Sequence, residues 1–204
     1  MNMNSQTGFT LYELLITVLV IGVILTLGVP NMQEFTRNSR LTATSSDLHA
    51  SFLLARSEAV RARAPVTICG LDLTAPSADQ PACGGSFQNG WIVFVDVDGD
   101  IVREAGDTVL RSFPAVDAGM VRISTNNGAN YFGFAGTGLG RGNVAGAGTA
   151  LVSAVVCDDR GNGTAAGTDS TARAVVATPT GRATVLRGHS QVADQITNNS
   201  LTCT

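Results

Sequence analysis

The sequence contains no lysine, and all thirteen of its basic residues are arginine. That bias reads as genomic base composition. Charge of any sign is sparse, at 14% of residues with a formal net charge of −3, so bulk electrostatics do not mark a nucleic-acid or acidic-membrane binder. There is no C-x-x-C pair. Cys69, Cys83, Cys157 and Cys203 lack the spacing of a zinc or redox site, and an even number of widely spaced cysteines suits two disulfides and an oxidising compartment. Histidine occurs twice, as His49 and His189, with no second histidine nearby to form a metal-ligand pair. No nucleophile stands beside a base, and Ser57 next to Glu58 reads as a pair of helix residues. The sequence therefore points to no enzyme, no metal centre and no cofactor. The first eight residues, MNMNSQTG, carry no basic residue, and no A-x-A-like site follows Val29, which excludes an ordinary secretory signal peptide.

What is present is an apolar run. Leu14 to Val29 are sixteen residues without a charge, and Phe9 to Val29 are 21 residues in which Glu13 is the only one. A membrane-spanning helix needs ~20 apolar residues, so the length is adequate and the acid is the anomaly. An unpaired carboxylate within such a segment costs a few kcal/mol and is a functional candidate. The alternative is that it lies at the interface and snorkels.

The residues around that acid carry a resemblance. A short polar leader ending in Gly8, followed by Phe9-Thr10-Leu11-Tyr12-Glu13-Leu14-Leu15, resembles the class III signal of type IV pilins and type II secretion pseudopilins. It implies a prepilin peptidase that cuts between Gly8 and Phe9 and N-methylates Phe9, which makes Glu13 the fifth mature residue. It departs from the family at Tyr12, where an aliphatic residue is usual, and in a leader without lysine or arginine. The resemblance also implies that Glu13 pairs with the N-terminal amine of a neighbouring subunit. Opposite charges attract strongly in a low-dielectric core, while an unpaired one is costly, so Glu13 would act as a docking key.

Beyond this segment, Pro30 can kink a helix, as can Gly22 and Gly28. Leu41, Leu48, Phe52, Ala55, Ala59 and Ala62 then form a helical stripe, and Pro65 stops it. The period next changes to that of strands, over Val66–Cys69, Gly90–Val95, Asp107–Phe113, Met120–Thr125, Tyr131–Phe134, Ala150–Cys157, Ala172–Ala177 and Ala183–Leu186. Gly136 to Gly148 holds six glycines and reads as a mobile loop. The expected fold is α+β and type IV pilin-like: a long N-terminal helix, transmembrane in its first half, packed on an antiparallel β-sheet domain. The expected organisation is a cleaved leader over 1–8, a transmembrane or filament-core helix over 9–29, its amphipathic continuation over 30–64, and a periplasmic β-rich domain over 65–204.

Three internal stretches are similar to the minor-pilin branch called GspH/FimT: Leu53-Leu54-Ala55-Arg56-Ser57-Glu58-Ala59, Gly90-Trp91-Ile92-Val93-Phe94-Val95-Asp96 and Thr178-Pro179-Thr180-Gly181-Arg182. Members are assembly parts. The resemblance implies a minor pilin that primes or caps a type IV pilus, with a minor pseudopilin of type II secretion as the alternative. It implies other pilin subunits, the prepilin peptidase and the inner-membrane assembly platform as partners, and single-pass residence in the bacterial inner membrane before entry into a filament. A DNA-capturing role is a further alternative. Relatives use a C-terminal Gly-Arg-x-Arg motif, matched here by Gly181-Arg182-Ala183-Thr184 without the second arginine, with Arg187 and Arg173 nearby in sequence. From Arg141 onward five arginines face four aspartates, so any phosphate binding is weak per subunit. Asp96-Val97-Asp98-Gly99-Asp100, with Asp107, reads as a turn, the alternative being a calcium loop. Four cysteines allow three connectivities. The order-local one joins Cys69 to Cys83 and Cys157 to Cys203, tying the polar tail Gln191–Thr204 to a core strand, and free buried thiols are the alternative.

Overall fold

The computed structural model describes residues 8–75, 81–164 and 168–203, so residues 1–7 of the expected leader lie outside the described part. Helix α1 runs over Leu11–Ala62 and passes through Pro30, which has no N–H to offer the carbonyl four residues back. Its start is capped: the Glu13 N–H donates to Thr10 Oγ1 at 3.2 Å, the Thr-x-x-Glu arrangement of a helix N-terminus. Its apolar half carries polar side chains without leaving their donors open. The Thr17 and Thr26 hydroxyls donate to the Leu14 and Val23 carbonyls, each at 2.9 Å.

The chain forms two compact units, one ending at Ser39 and one beginning at Arg40. In the first, the described side chains from Gly8 to Phe35 are exposed. In the second, the helical stripe Leu41, Leu48, Phe52, Ala55 and Ala59 is fully buried. Ala62, read as the end of that stripe, is exposed. The helix stops there because Arg63 turns to φ 53°, two residues before Pro65, which disfavours helix on its N-terminal side.

Eight strands follow: β1 Val66–Leu71, β2 Ser86–Val95, β3 Thr108–Phe113, β4 Arg122–Thr125, β5 Tyr131–Phe134, β6 Ser153–Cys157, β7 Asp169–Ala177 and β8 Ala183–Gly188. They make two four-stranded antiparallel sheets, ordered β3-β2-β1-β5 and β4-β6-β7-β8. The α1 stripe shares one core with both. Val66, Ile68, Val93, Phe132 and Phe134 contribute from the first sheet, and Ala154, Val156, Val175 and Ala183 from the second. Phe52 makes edge contacts with Phe132 at 5.1 Å and Phe134 at 6.4 Å between ring centroids. Trp91 stacks on Phe113 at 4.7 Å, and its indole N–H donates to Ser51 Oγ on α1 at 2.9 Å. Gln88 joins the sheets. Its amide donates to the Val116 and Val121 carbonyls, and its Oε1 accepts from the Ile123 N–H at 2.7 Å.

Two stretches differ from expectation. The glycine-rich segment is closely packed and tied where it leaves β5. The Ala135 N–H donates to the Leu139 carbonyl and the Gly140 N–H to the Pro179 carbonyl, each at 2.8 Å. Gly181 has φ +75°, and a Cβ there would lie 2.2 Å from the Gly138 oxygen, so the β7–β8 turn and this segment meet backbone to backbone. Further along, the Val144 N–H donates to the Tyr131 hydroxyl at 2.6 Å. The polar tail, in turn, contains a helix, α2, over His189–Asn198. Val192 is fully buried and Ile196 packs beside it, with Leu201 from the chain after the helix, on Val155, Cys157, Ala172 and Ala174 of the second sheet. Cys157 joins Cys203 and Cys69 joins Cys83.

Two outcomes follow for stability, both readable from the single tryptophan, Trp91, during denaturant unfolding of the detergent-solubilised chain. Gly181→Ala, which meets backbone, should cost at least about 2 kcal/mol, while Gly146→Ala, at φ +83° with nothing within 4 Å, should cost only about 1 kcal/mol. Replacing Cys157 and Cys203 by serine opens a link spanning 46 residues and should cost about 2–4 kcal/mol.

Candidate functional site

Gly8, Phe9 and Thr10 precede the first turn of α1, and all three are exposed. A Cβ on Gly8 would meet nothing within 4 Å, and Phe9 is 83% exposed. Glu13 lies in the first helical turn, where the unpaired N–H groups and the positive end of the helix dipole favour an anion. Its carboxylate has no hydrogen-bond or ion-pair partner among the described residues. Around it, Leu14, Leu15, Val18, Leu19, Ile21 and Ile24 are all exposed. A helix apolar on every side is built for lipid or for a packed interior, and α1 contains a stretch long and apolar enough to cross a membrane.

The acidic loop after β2 has a different geometry. Asp96 is completely buried. One carboxylate oxygen accepts from Thr67 Oγ1 at 2.8 Å and the Ile101 N–H at 3.2 Å, and the other from the Gly99 N–H at 2.8 Å. The Arg141 guanidinium lies 3.7 Å away. Burial pushes the Asp96 carboxyl above its ordinary value, and those donors and Arg141 oppose the shift. Asp107 holds the far side, accepting from the Val97 and Glu104 N–H groups at 3.1 and 2.9 Å. Carboxylate oxygens of Asp96, Asp98 and Asp100 fall within 4.8 Å of one another. Asp96, however, is engaged by three hydrogen-bond donors and faces a guanidinium, so the arrangement holds a turn. It also keeps buried Ile101 at φ 72°, a rare conformation for a β-branched residue.

The arginines read from the C-terminal half do not converge. Arg182 is exposed at the β7–β8 turn. Arg187 lies five residues along β8, ~17 Å away in extended chain. Arg173, half-buried on β7, donates to the Ser170 and Ala172 carbonyls. Its desolvation, and then the Arg187 charge, lower its pKa, so Arg173 and Arg187 are neighbours and Arg182 stands apart. Two charged groups missed in the sequence lie close by: Arg160 pairs with the buried Asp158 at 2.7 Å. His49 Nε2 lies 3.2 Å from the Ala183 carbonyl and His189 Nε2 lies 2.9 Å from the Asn162 carbonyl. The Ser57 hydroxyl donates to the Leu54 carbonyl, and Glu58 pairs with Arg61.

Comparison with known proteins agrees with these elements. The family model described as type II transport protein GspH matches residues 44–181, and the prokaryotic N-terminal methylation motif matches residues 3–29. A fimbrial protein of Pseudomonas aeruginosa is 38% identical over 48 residues, 24% of this chain and 31% of that protein. The type IV major alpha-pilin of Moraxella bovis is 40% identical over 48 residues, 24% of this chain and 30% of that one. The chain thus spans less than a third of the length of the curated relatives it matches. The crystal structure of the Pseudomonas aeruginosa type IV minor pilin FimU aligns over 76% of this chain and 94% of its own, at 19% identity and a TM-score of 0.47. With most of its length matched by one family model and a methylation motif over its apolar N-terminus, the chain belongs to the GspH family of pilin-like type II transport proteins.

Proposed function

We propose that this chain is a minor pilin that enters a type IV pilus and primes or caps its assembly. The observation that carries the reading is Glu13, the one charge among the residues from Phe9 to Val29, standing in the first turn of α1 with its carboxylate unpartnered among the described residues. In this reading a prepilin peptidase cuts between Gly8 and Phe9 and methylates the new terminus. The segment over 9–29 resides in the bacterial inner membrane with the domain over 65–204 in the periplasm. The assembly platform then lifts the subunit into the filament, where Glu13 meets the terminal amine of a neighbour. Burial of that helix among others removes water from the carboxylate, so the pairing selects one axial register.

A secretion pseudopilin is the second reading, favoured by the GspH family model, as the fimbrial relatives of the N-terminal stretch favour the first. DNA capture has the least support, since Arg182 stands apart from Arg173 and Arg187 and the C-terminal half is nearly neutral.

Deleting the gene and weighing sheared surface pilin against parent and complemented strains separates these roles. Loss of pili restored by complementation is the expected result, and intact pili with impaired protein secretion would transfer the chain to the second reading. Glu13→Ala should still be cleaved and membrane-inserted but should enter filaments at least about tenfold less, as removal of one partner from a buried charge pair requires. Wild-type incorporation of that variant would sink the docking role.

A further inference from the structure

Where α1 ends and β1 begins, the second unit carries two exposed patches of opposite charge. The first is a ridge on α1, where Leu53, Val60 and, from the glycine-rich segment, Leu139 are each about half exposed. Arg56, Arg63 and Arg182 flank it, all exposed, and none is in an ion pair among the described residues. Their proximity follows from three glycines. A Cβ on Gly138 would come 2.8 Å from Val60 Cγ2 and 3.5 Å from Arg56 Nε, one on Gly136 would come 2.6 Å from the Arg63 carbonyl carbon, and one on Gly181 would strike the Gly138 oxygen. The ridge is therefore set by backbone approaches at Gly136 and Gly181 and by the seat of Gly138 against the Val60 and Arg56 side chains.

The second patch is the tip of the β2–β3 loop. Val97 is 65% and Val102 51% exposed, and Asp98 and Asp100 are exposed between them. Asp96 fixes this tip from beneath, and Arg141 donates to the Gly99 carbonyl at 2.6 Å. The Asp96 N–H donates to the Pro65 carbonyl at 3.0 Å, which ties the base of the tip to the chain two residues after Arg63. The short segment Ala135–Arg141 thus touches the ridge with one end and the tip with the other.

We infer that this face of the second unit is a two-fold docking surface for a second copy of the chain. The acidic, valine-bearing tip of each copy meets the arginine-flanked apolar ridge of the other. An isologous contact needs a surface that holds both halves of a complementary pair side by side. Here three arginines without an ion pair among the described residues lie near two exposed aspartates, and each set surrounds exposed apolar side chains that gain by losing water. Apolar side chains half-exposed within opposite charge fields suit a contact that is weak in one pair and sensitive to salt. The contact concerns the globular unit and does not depend on whether the filament is a pilus or a pseudopilus.

The test is photo-cross-linking of the full chain in its membrane, with p-benzoylphenylalanine in place of Val97. The expected product is a covalent dimer whose second attachment maps to the peptides carrying Leu53–Val60 or Leu139. It should weaken at least about tenfold when salt is raised from about 0.1 to 1 M, because the screening length falls from about 10 to about 3 Å. Asp98→Arg with Asp100→Arg should abolish it, as should Arg56→Asp with Arg182→Asp. When the two reversed chains carry different tags and are expressed together, only the mixed dimer should return, which also shows that both variants fold. A missing wild-type cross-link, attachment elsewhere, survival in either reversed chain alone, or failure of the mixed pair would each overturn the inference.

Discussion

Phe52 and its neighbours on α1 are what the globular unit is built around. The stripe Leu41, Leu48, Phe52, Ala55 and Ala59 presents three large surfaces, Leu41, Leu48 and Phe52, and two small ones, Ala55 and Ala59. The alanines let strands approach, and Phe52 enters between Phe132 and Phe134. Neither four-stranded sheet has a helix of its own on this side. Each buries its inner face against the same stripe, so losing that helix would uncover both sheets at once. A phenylalanine in such a position typically accounts for about 3–5 kcal/mol. The first half of the same helix has the opposite character, apolar on every side with nothing folded over it among the described residues.

That division explains why much of the fold was legible in the sequence. The switch from a 3.6-residue period to alternation at Pro65 locates the change from helix to strand, and all eight expected strands occur, with ends displaced by a few residues. The partition into two sheets was not legible, because it depends on Gln88 and Asn126, whose side-chain amides bond to backbone more than twenty residues away. Nothing local distinguishes such an amide from one in water. Helix α2 was hidden for a related reason. Only Val192 and Ile196 form its apolar contact, and they suffice because the sheet beneath offers small residues, Ala172 and Ala174.

Glycine was the most misleading signal. A segment with six glycines in thirteen residues suggests freedom, yet here glycine is what permits contact. Gly136, Gly138 and Gly181 each bring main chain to main chain or to α1 at distances that a Cβ would forbid. The Gly-Arg pair after Thr180 shows the consequence for site reading. Its glycine is dictated by packing, at φ +75° against the Gly138 oxygen, so the motif has a structural cause whether or not its arginine meets a ligand. The acidic loop makes the same point. Asp96 resembles a metal ligand in sequence, but Thr67 and Arg141 already engage it, and neither is adjacent in the chain.

The geometry around Glu13 rests on residues close together in the chain. Thr10 and Glu13 are three residues apart, and one turn of helix suffices to join them. Glu13 was read as a docking charge alone, while the structure adds a second constraint. As the third helical residue it sits where its own N–H is capped by Thr10 and where its carboxylate lies at the positive end of the helix. The first turn therefore offsets part of the cost of carrying a carboxylate into an apolar setting, before any neighbour arrives. In the proposed pairing, a partner amine would have to supply only the remainder, which would leave the contact reversible enough to select a register during assembly.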